Sequence, residues 1–133
     1  MSLVRGLKEQ TDTTPCLETM LWQNSNTTTV FSERTIILND AIPNYRYIKF
    51  EFYKSNTATD LYSVIYDKNE VLKFIATRLC GNMAVFAGGN QGENSFIRPI
   101  MYINDTSLKI GNCLYGADSY NNLAIPYRIY GIQ

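Results

Sequence analysis

The chain closes on Asn122-Leu123-Ala124-Ile125-Pro126-Tyr127-Arg128-Ile129-Tyr130-Gly131-Ile132-Gln133, "NLAIPYRIYGIQ". Chain ends usually fray into polar residues, yet this one stays apolar and aromatic to its penultimate residue. Ile125, Tyr127 and Ile129 alternate with Pro126, Arg128 and Tyr130, and a period of two predicts a strand. A terminal strand stays apolar to its end when it pairs inside a sheet, held by ladder bonds on both sides. The stretch therefore predicts a β fold whose last strand is an interior one.

The rest of the chain has the same texture. "YIKFEFY" (47–53) sets Ile48, Phe50 and Phe52 on one face and Lys49 and Glu51 on the other, the mark of a half-buried strand. "LETMLW" (17–22), "VFSERTIIL" (30–38, bent near Ser32-Glu33), "LYSVIY" (61–66), "VLKFIATRL" (71–79), "MAVFA" (83–87), "SFIRPIMYI" (95–103) and "LKIGNCLY" (108–115) read as further strands. Pro99 lacks an N–H and predicts an edge or a bulge. Between the strands, "QNSNTTT", "NDAIPN", "KSNTATD", "DKNE", "GGNQGEN", "NDTS" and "GADSYNN" are turn-rich. About nine short strands with turns every 8 to 12 residues predict an all-β, antiparallel β-sandwich. Residues 1–15 are a polar lead-in arm or linker, and 16–133 form a single sandwich domain.

The chain has 133 residues, enough for one core. Its 12 Lys and Arg balance its 12 Asp and Glu, so it lacks the basic excess of nucleic-acid binders. No run of about 18 apolar residues predicts a membrane span, and the start lacks the apolar stretch of a secretory signal. Cys16, Cys80 and Cys113 are odd in number and widely spaced, which fits reduced structural thiols rather than a disulfide framework or a metal pair. With no His, neither a Ser-His-Asp nor a Cys-His mechanism can be built within the chain.

Each remaining candidate has a plainer alternative. "GGNQG" (88–92) lacks the Lys-Ser/Thr of a phosphate loop and reads as a turn. Asp67, Asn69 and Glu70 could seat a surface calcium ion, but they lack the Gly and closing Glu of an EF-hand loop; an exposed hairpin turn accounts for them. Nothing marks a carboxylate pair for glycoside hydrolysis. Trp22, the single Trp, closes an apolar strand and reads as core before ligand platform. The loop residues Asn90, Gln91, Asn94, Asp118, Tyr120 and Asn121 form a candidate recognition surface for hydroxyl-rich ligands. No cofactor or catalytic residue is assigned.

Two stretches together resemble a known family. "LWQNSNTTTVFSERTIILND" (21–40) is similar to the Leu-Trp, Asn-rich turn, Phe and Thr-Ile-x-Leu opening of small modules in phage and prophage tail and tail-fibre proteins. "NNLAIPYRIYGIQ" (121–133) is similar to their closing motif, with Arg128 where Lys is common and Gln133 at the usual terminal Lys. The resemblance brackets residues 21–133; the segment before Cys16 departs from it. It implies a jelly-roll-like sandwich, a non-enzymatic virion structural module of tail, baseplate or fibre. Such a module would be made in the bacterial host cytoplasm, and would be a homo-oligomer, with a trimer favoured. The implied partners are other tail proteins and, for receptor binding, a host cell-surface glycan. Leu21, Trp22, Asn24, Phe31, Ile125, Pro126, Tyr127, Ile129, Tyr130 and Gly131 would carry fold and assembly. Two other readings remain open from the residues: a bacterial carbohydrate-binding module outside any virion, expected to show a line of exposed aromatics on one sheet face, and a small two-carboxylate glycoside hydrolase.

Overall fold

The computed structural model of the chain describes residues 17–74, 84–88, 95–115 and 118–133, with the side chains of 84–88, 95, 96 and 115 outside that description. In chain order the strands are β1 (Glu18–Gln23), β2 (Arg34–Ile37), β3 (Tyr47–Ser55), β4 (Leu61–Asp67), β5 (Ala84–Gly88), β6 (Ser95–Asn104), β7 (Ser107–Ile110), β8 (Leu114–Tyr115), β9 (Asp118–Ser119) and β10 (Leu123–Ile132). One helical turn, α1 (Lys68–Val71), follows β4. The strands form two antiparallel sheets. One has the order β1-β10-β3-β4; the other runs β2-β7-β6-β8-β9, with β5 also pairing β6. The fold is an all-β, two-sheet sandwich.

The terminal stretch lies where its pattern predicts. β10 pairs with β1 on one side and with β3 on the other. Its simple alternation is broken, however, by a bulge between Pro126 and Arg128. Pro126 has no N–H to give the ladder, and the extra residue sets Tyr127 beside Arg128 on the outer face, opposite to Pro126 and Ile129, which pair with buried Phe52 and Phe50. Ile125, opposite Tyr53, is buried as well. Ile125 and Ile129 are 0% and 2% exposed, while Tyr127 is half-buried.

Phe50, Phe52 and Ile48 from β3 face Ile100 of β6 and Leu108 and Ile110 of β7 across the sandwich, with Leu21, Phe31 and Ile36 in the same cluster. Within the core, a cavity of about 20 Å³ is lined by Phe50, Phe52, Ile100, Ile110 and Ile129 among others. It has room for about one water molecule, so it is not a ligand chamber.

One charge is sunk into this apolar interior. Arg98 on β6 is 1% exposed. Its guanidinium donates to the carbonyls of Ala124 (2.7 Å), Leu123 (2.8 Å), Gly111 (2.8 Å), Phe31 (2.9 Å) and Asn121 (3.4 Å). It also lies 5.3 Å from the Phe31 ring centre. Among the described residues no carboxylate pairs with it. Carbonyl dipoles take that place, and the five-donor fork of arginine suits such a cage. Burial pushes its pKa down to about 10, so it stays charged at neutral pH. Ala124 has φ 49°, a left-handed conformation that costs a non-glycine residue roughly 1–3 kcal/mol. This twist lets two successive carbonyls, which point opposite ways in a regular strand, both reach Arg98.

A second lock closes the far end of β10. A Cβ on Gly131 would run into the Tyr45 ring, so glycine is required there by close approach rather than by turn geometry. The Tyr45 hydroxyl in turn donates to Asp40 Oδ2 at 2.8 Å, and the other Asp40 oxygen accepts from Ala41 N–H and Asn44 Nδ2.

Three sequence expectations change. "DKNE" is not a hairpin turn. Asp67 caps α1 by accepting from the Asn69 N–H (2.8 Å), and Glu70 accepts from the Asp67 N–H (3.3 Å), a capping box. Of residues 71–74, read as the start of a strand, Val71 ends α1 and Leu72 and Lys73 follow it as a turn, and 75–79 lie outside the described residues. Pro99 is at neither an edge nor a bulge. It sits inside β6, where pairing passes from β5 (Ser95 to Pro99) to β7 (Ile100 to Asn104), a handover where a missing N–H disturbs the ladder least.

Candidate binding face on the four-stranded sheet

Alternation in β3 buries Ile48, Phe50 and Phe52 and turns Tyr47, Lys49, Glu51 and Tyr53 outward. The β10 bulge adds Tyr127, Arg128 and Tyr130 to the same outer face. Tyr53 and Tyr127 lie with ring centres 5.2 Å apart. Arg128 sits over Tyr127 at 4.2 Å and near Tyr130 at 5.5 Å, and Lys49 lies 5.0 Å from Tyr130. Four tyrosines, Tyr47, Tyr53, Tyr127 and Tyr130, thus share one half-buried surface with four charged groups.

The charges neutralise one another. Arg128 Nε donates to Glu51 Oε1 at 2.8 Å; Lys49 Nζ lies 2.8 Å from Glu18 Oε2 and 3.7 Å from Glu51 Oε2. The Glu51 side chain is only 10% exposed and is shared by two cations. The hydrogen bond that Lys49 donates to Glu18, with the charges of Glu18 and Glu51, raises the Lys49 pKa against partial burial. For Arg128, burial works against the charge, but the hydrogen bond and charge of Glu51 outweigh it and the pKa is raised. Two cations and two carboxylates, Lys49, Arg128, Glu18 and Glu51, thus balance one another among the tyrosines.

Apolar side chains flank this centre. The pairing register aligns Met20, Tyr130, Lys49 and Ile65 in one row across β1, β10, β3 and β4. Met20 (40%) and Ile65 (54%) are exposed at its two ends, as is Leu61 (43%) beside Tyr53. Chemically the face offers ring surfaces, phenol hydroxyls and apolar edges. It suits stacking against the C–H faces of sugar rings, or packing against another protein surface.

The loop candidates behave differently. Asn90, Gln91 and Asn94 lie outside the described residues. Asp118 is exposed on β9. Tyr120 is half-buried against the core. The Asn121 side chain accepts from the Cys113 N–H (3.0 Å) and donates to Asn112 (2.9 Å), while its carbonyl takes part in the Arg98 cage. Asn121 is thus a structural clasp, and only Asp118 of the three described candidates faces solvent fully.

Of the motif residues, Leu21, Phe31, Ile125 and Ile129 are core. Trp22 packs edge-on to Phe31 at 6.2 Å. Asn24 ties its loop to β10 through Pro126 O (2.9 Å) and Gly131 makes room for Tyr45, whereas Tyr127 and Tyr130 belong to the outer face. Sequence reasoning missed the joining of Tyr53 to Tyr127. Alternation in β3 announced Tyr53, but nothing local announced the bulge that brings Tyr127 to it. Neither the scan against protein-family models nor the search of curated proteins returns a match.

Proposed function

We propose that this chain is a non-enzymatic, jelly-roll-like structural module of a phage or prophage tail, working through its surfaces, and that its outer tyrosine face contacts a glycan of the bacterial cell surface. The observation that carries the reading is the charge-neutral row of tyrosines on the four-stranded sheet. Rigid, half-buried rings lose little freedom on binding, and a row of balanced charges does not repel anionic cell-wall polymers. The virion setting and a trimeric state rest on the resemblance of the opening and closing motifs. Binding of the full chain to purified Gram-positive cell-wall polysaccharide, measured by calorimetry, tests the glycan contact. Tyr127→Ala and Tyr130→Ala should each weaken binding about tenfold, the scale of one lost ring contact with its buried area. Unchanged affinity in both variants, with unchanged thermal unfolding, refutes the assignment.

The same face also supports a second reading, a carbohydrate-binding module outside any virion, since a line of aromatics on one sheet face is its expected mark. Co-purification of the chain with tail particles from an induced lysate favours the first reading. Glycan binding by a chain never found on particles favours the second.

A further inference from the structure

A sheet edge left open presents unpaired backbone N–H and C=O groups, and proteins normally blunt it with charge, proline, a bulge or a cover. Most edges here are blunted. At β1, a bulge falls between Met20 and Trp22, and Asn39 covers the strand by donating from its side chain to Met20 O (3.2 Å) and from its backbone to Leu21 O (2.7 Å). β2 is four residues long and opens on Arg34 next to Glu33. β9 has two residues.

Along residues 61–66, β4 has none of these devices among the described residues. It runs seven residues, Leu61–Asp67, without proline or glycine, and pairs with β3 without a register shift. Residues 61–65 carry no charge. Among the described residues no strand lies on its far side, and Leu61, Tyr62 and Ile65 are 43%, 45% and 54% exposed.

We infer that the open edge of β4 is a contact for a second copy of this chain, joined by antiparallel strand addition about a two-fold axis at Ser63. The strand is complementary to itself in that register. Leu61 meets Ile65 of the other copy on the outer face, Tyr62 meets Val64 on the inner face, and Ser63 meets Ser63. Directly opposed residues of an antiparallel pair come within reach of side-chain contact. A shift of two residues that brings Val64 to the axis would set Asp67 against Leu61, so the uncharged run selects the Ser63 register. Because β1 is covered by Asn39, β4 of one copy cannot add to β1 of the next. The contact is therefore isologous and closes at two. The formal net charge of zero adds no repulsion between copies. The contact takes only the apolar rim of the outer face, at Leu61 and Ile65, and none of its tyrosines, so the effect of Tyr127→Ala on glycan binding tests the glycan reading separately from it. Combined with a separate three-fold contact it would give six chains.

The test is solution mass of the full chain by light scattering with size exclusion, with thermal unfolding as the check on folding. The expected mass is an even multiple of 15.2 kDa. Leu61→Lys and Ile65→Lys, both at exposed positions, should halve it. In a background with Cys16 and Cys80 replaced by Ser, Ser63→Cys should form a disulfide-linked pair on mild oxidation, and Leu61→Cys should not. A monomeric chain, a mass unmoved by both folded lysine variants, or cross-linking at Leu61→Cys as ready as at Ser63→Cys overturns the inference.

Discussion

Replacing Arg98 with methionine keeps much of the side chain's length and removes all its donors. Five carbonyls lose their contacts, four of them at 2.7–2.9 Å. The fifth, Asn121 O, keeps the Phe31 N–H at 2.9 Å. Hydrogen bonds to a charged group each contribute about 1.5–3 kcal/mol, and each buried acceptor left unpaired costs about 1–3 kcal/mol. Against this stands the release of a buried guanidinium's desolvation penalty, several kcal/mol. Four orphaned carbonyls at about 1–3 kcal/mol each, less the several kcal/mol of desolvation released with the charge, leave a net loss of about 3–5 kcal/mol, a large share of the roughly 5–15 kcal/mol available to a domain. For a chain of this size that corresponds to a fall in Tm of about 10–25 °C. Urea unfolding measures it, with an unchanged slope expected if the unfolded state is unaffected. Arg98→Lys should fall between the two, since an ammonium offers three donors from one point rather than a fork. If Arg98→Met unfolds within about 1 kcal/mol of the unaltered chain, charge burial cancels the carbonyl bonds, and Arg98 is not what ties β10 to the second sheet.

Gly131→Ala should destabilise by about 1–3 kcal/mol, the cost of overpacking, because the new methyl meets the Tyr45 ring; urea unfolding that leaves the midpoint unmoved would mean that Tyr45 swings aside freely. The hydrogen bond from Tyr45, then that from the Ala41 N–H, holds the Asp40 carboxyl below its ordinary value of 3.8. A depressed folded value means this contribution is present above the unfolded pKa and lost as pH falls through the folded one. Asp40→Asn should therefore lower Tm at about pH 6 and approach the unaltered chain near about pH 2, and a gap of equal size at both ends would refute the linkage.

The fold was legible where pattern and burial coincide. Alternation through Ile48, Phe50 and Phe52 named both faces of β3, and the apolar terminal stretch named β10 as an interior strand. What escaped was set by contacts distant in sequence. Asp67 and Glu70 in "DKNE" had the chemistry of a capping box, but the hydrophobic run after them has strand texture and hid the helical turn. Arg98 lies in the apolar run "SFIRPIMYI", and its value as a carbonyl collector depends on Phe31, 67 residues before it, and on Ala124 at the start of β10, 26 residues after it. The outer face was half legible: Tyr53, Lys49 and Glu51 follow from alternation, while Tyr127 reaches them only through the bulge at Pro126.

That bulge connects the two meanings of the terminal stretch. A regular strand would show every second residue outward, so "IPYRIY" would present Pro126, Arg128 and Tyr130 and bury Tyr127 among Ile125 and Ile129. With one residue absorbed after Pro126, Pro126 pairs with buried Phe52 and Ile129 with buried Phe50, and Tyr127, Arg128 and Tyr130 all reach the outer face. The first carbonyls of the same strand, at Leu123 and Ala124, meanwhile hold Arg98 from the opposite sheet. One ten-residue strand thus supplies core, inter-sheet anchor and surface. Its apolar, aromatic character to the end follows from its central position with partners on both sides, without any need for an external cover over its backbone. Exposed apolar groups lie elsewhere, and Leu61, Tyr62 and Ile65 gather three of them on the single strand β4.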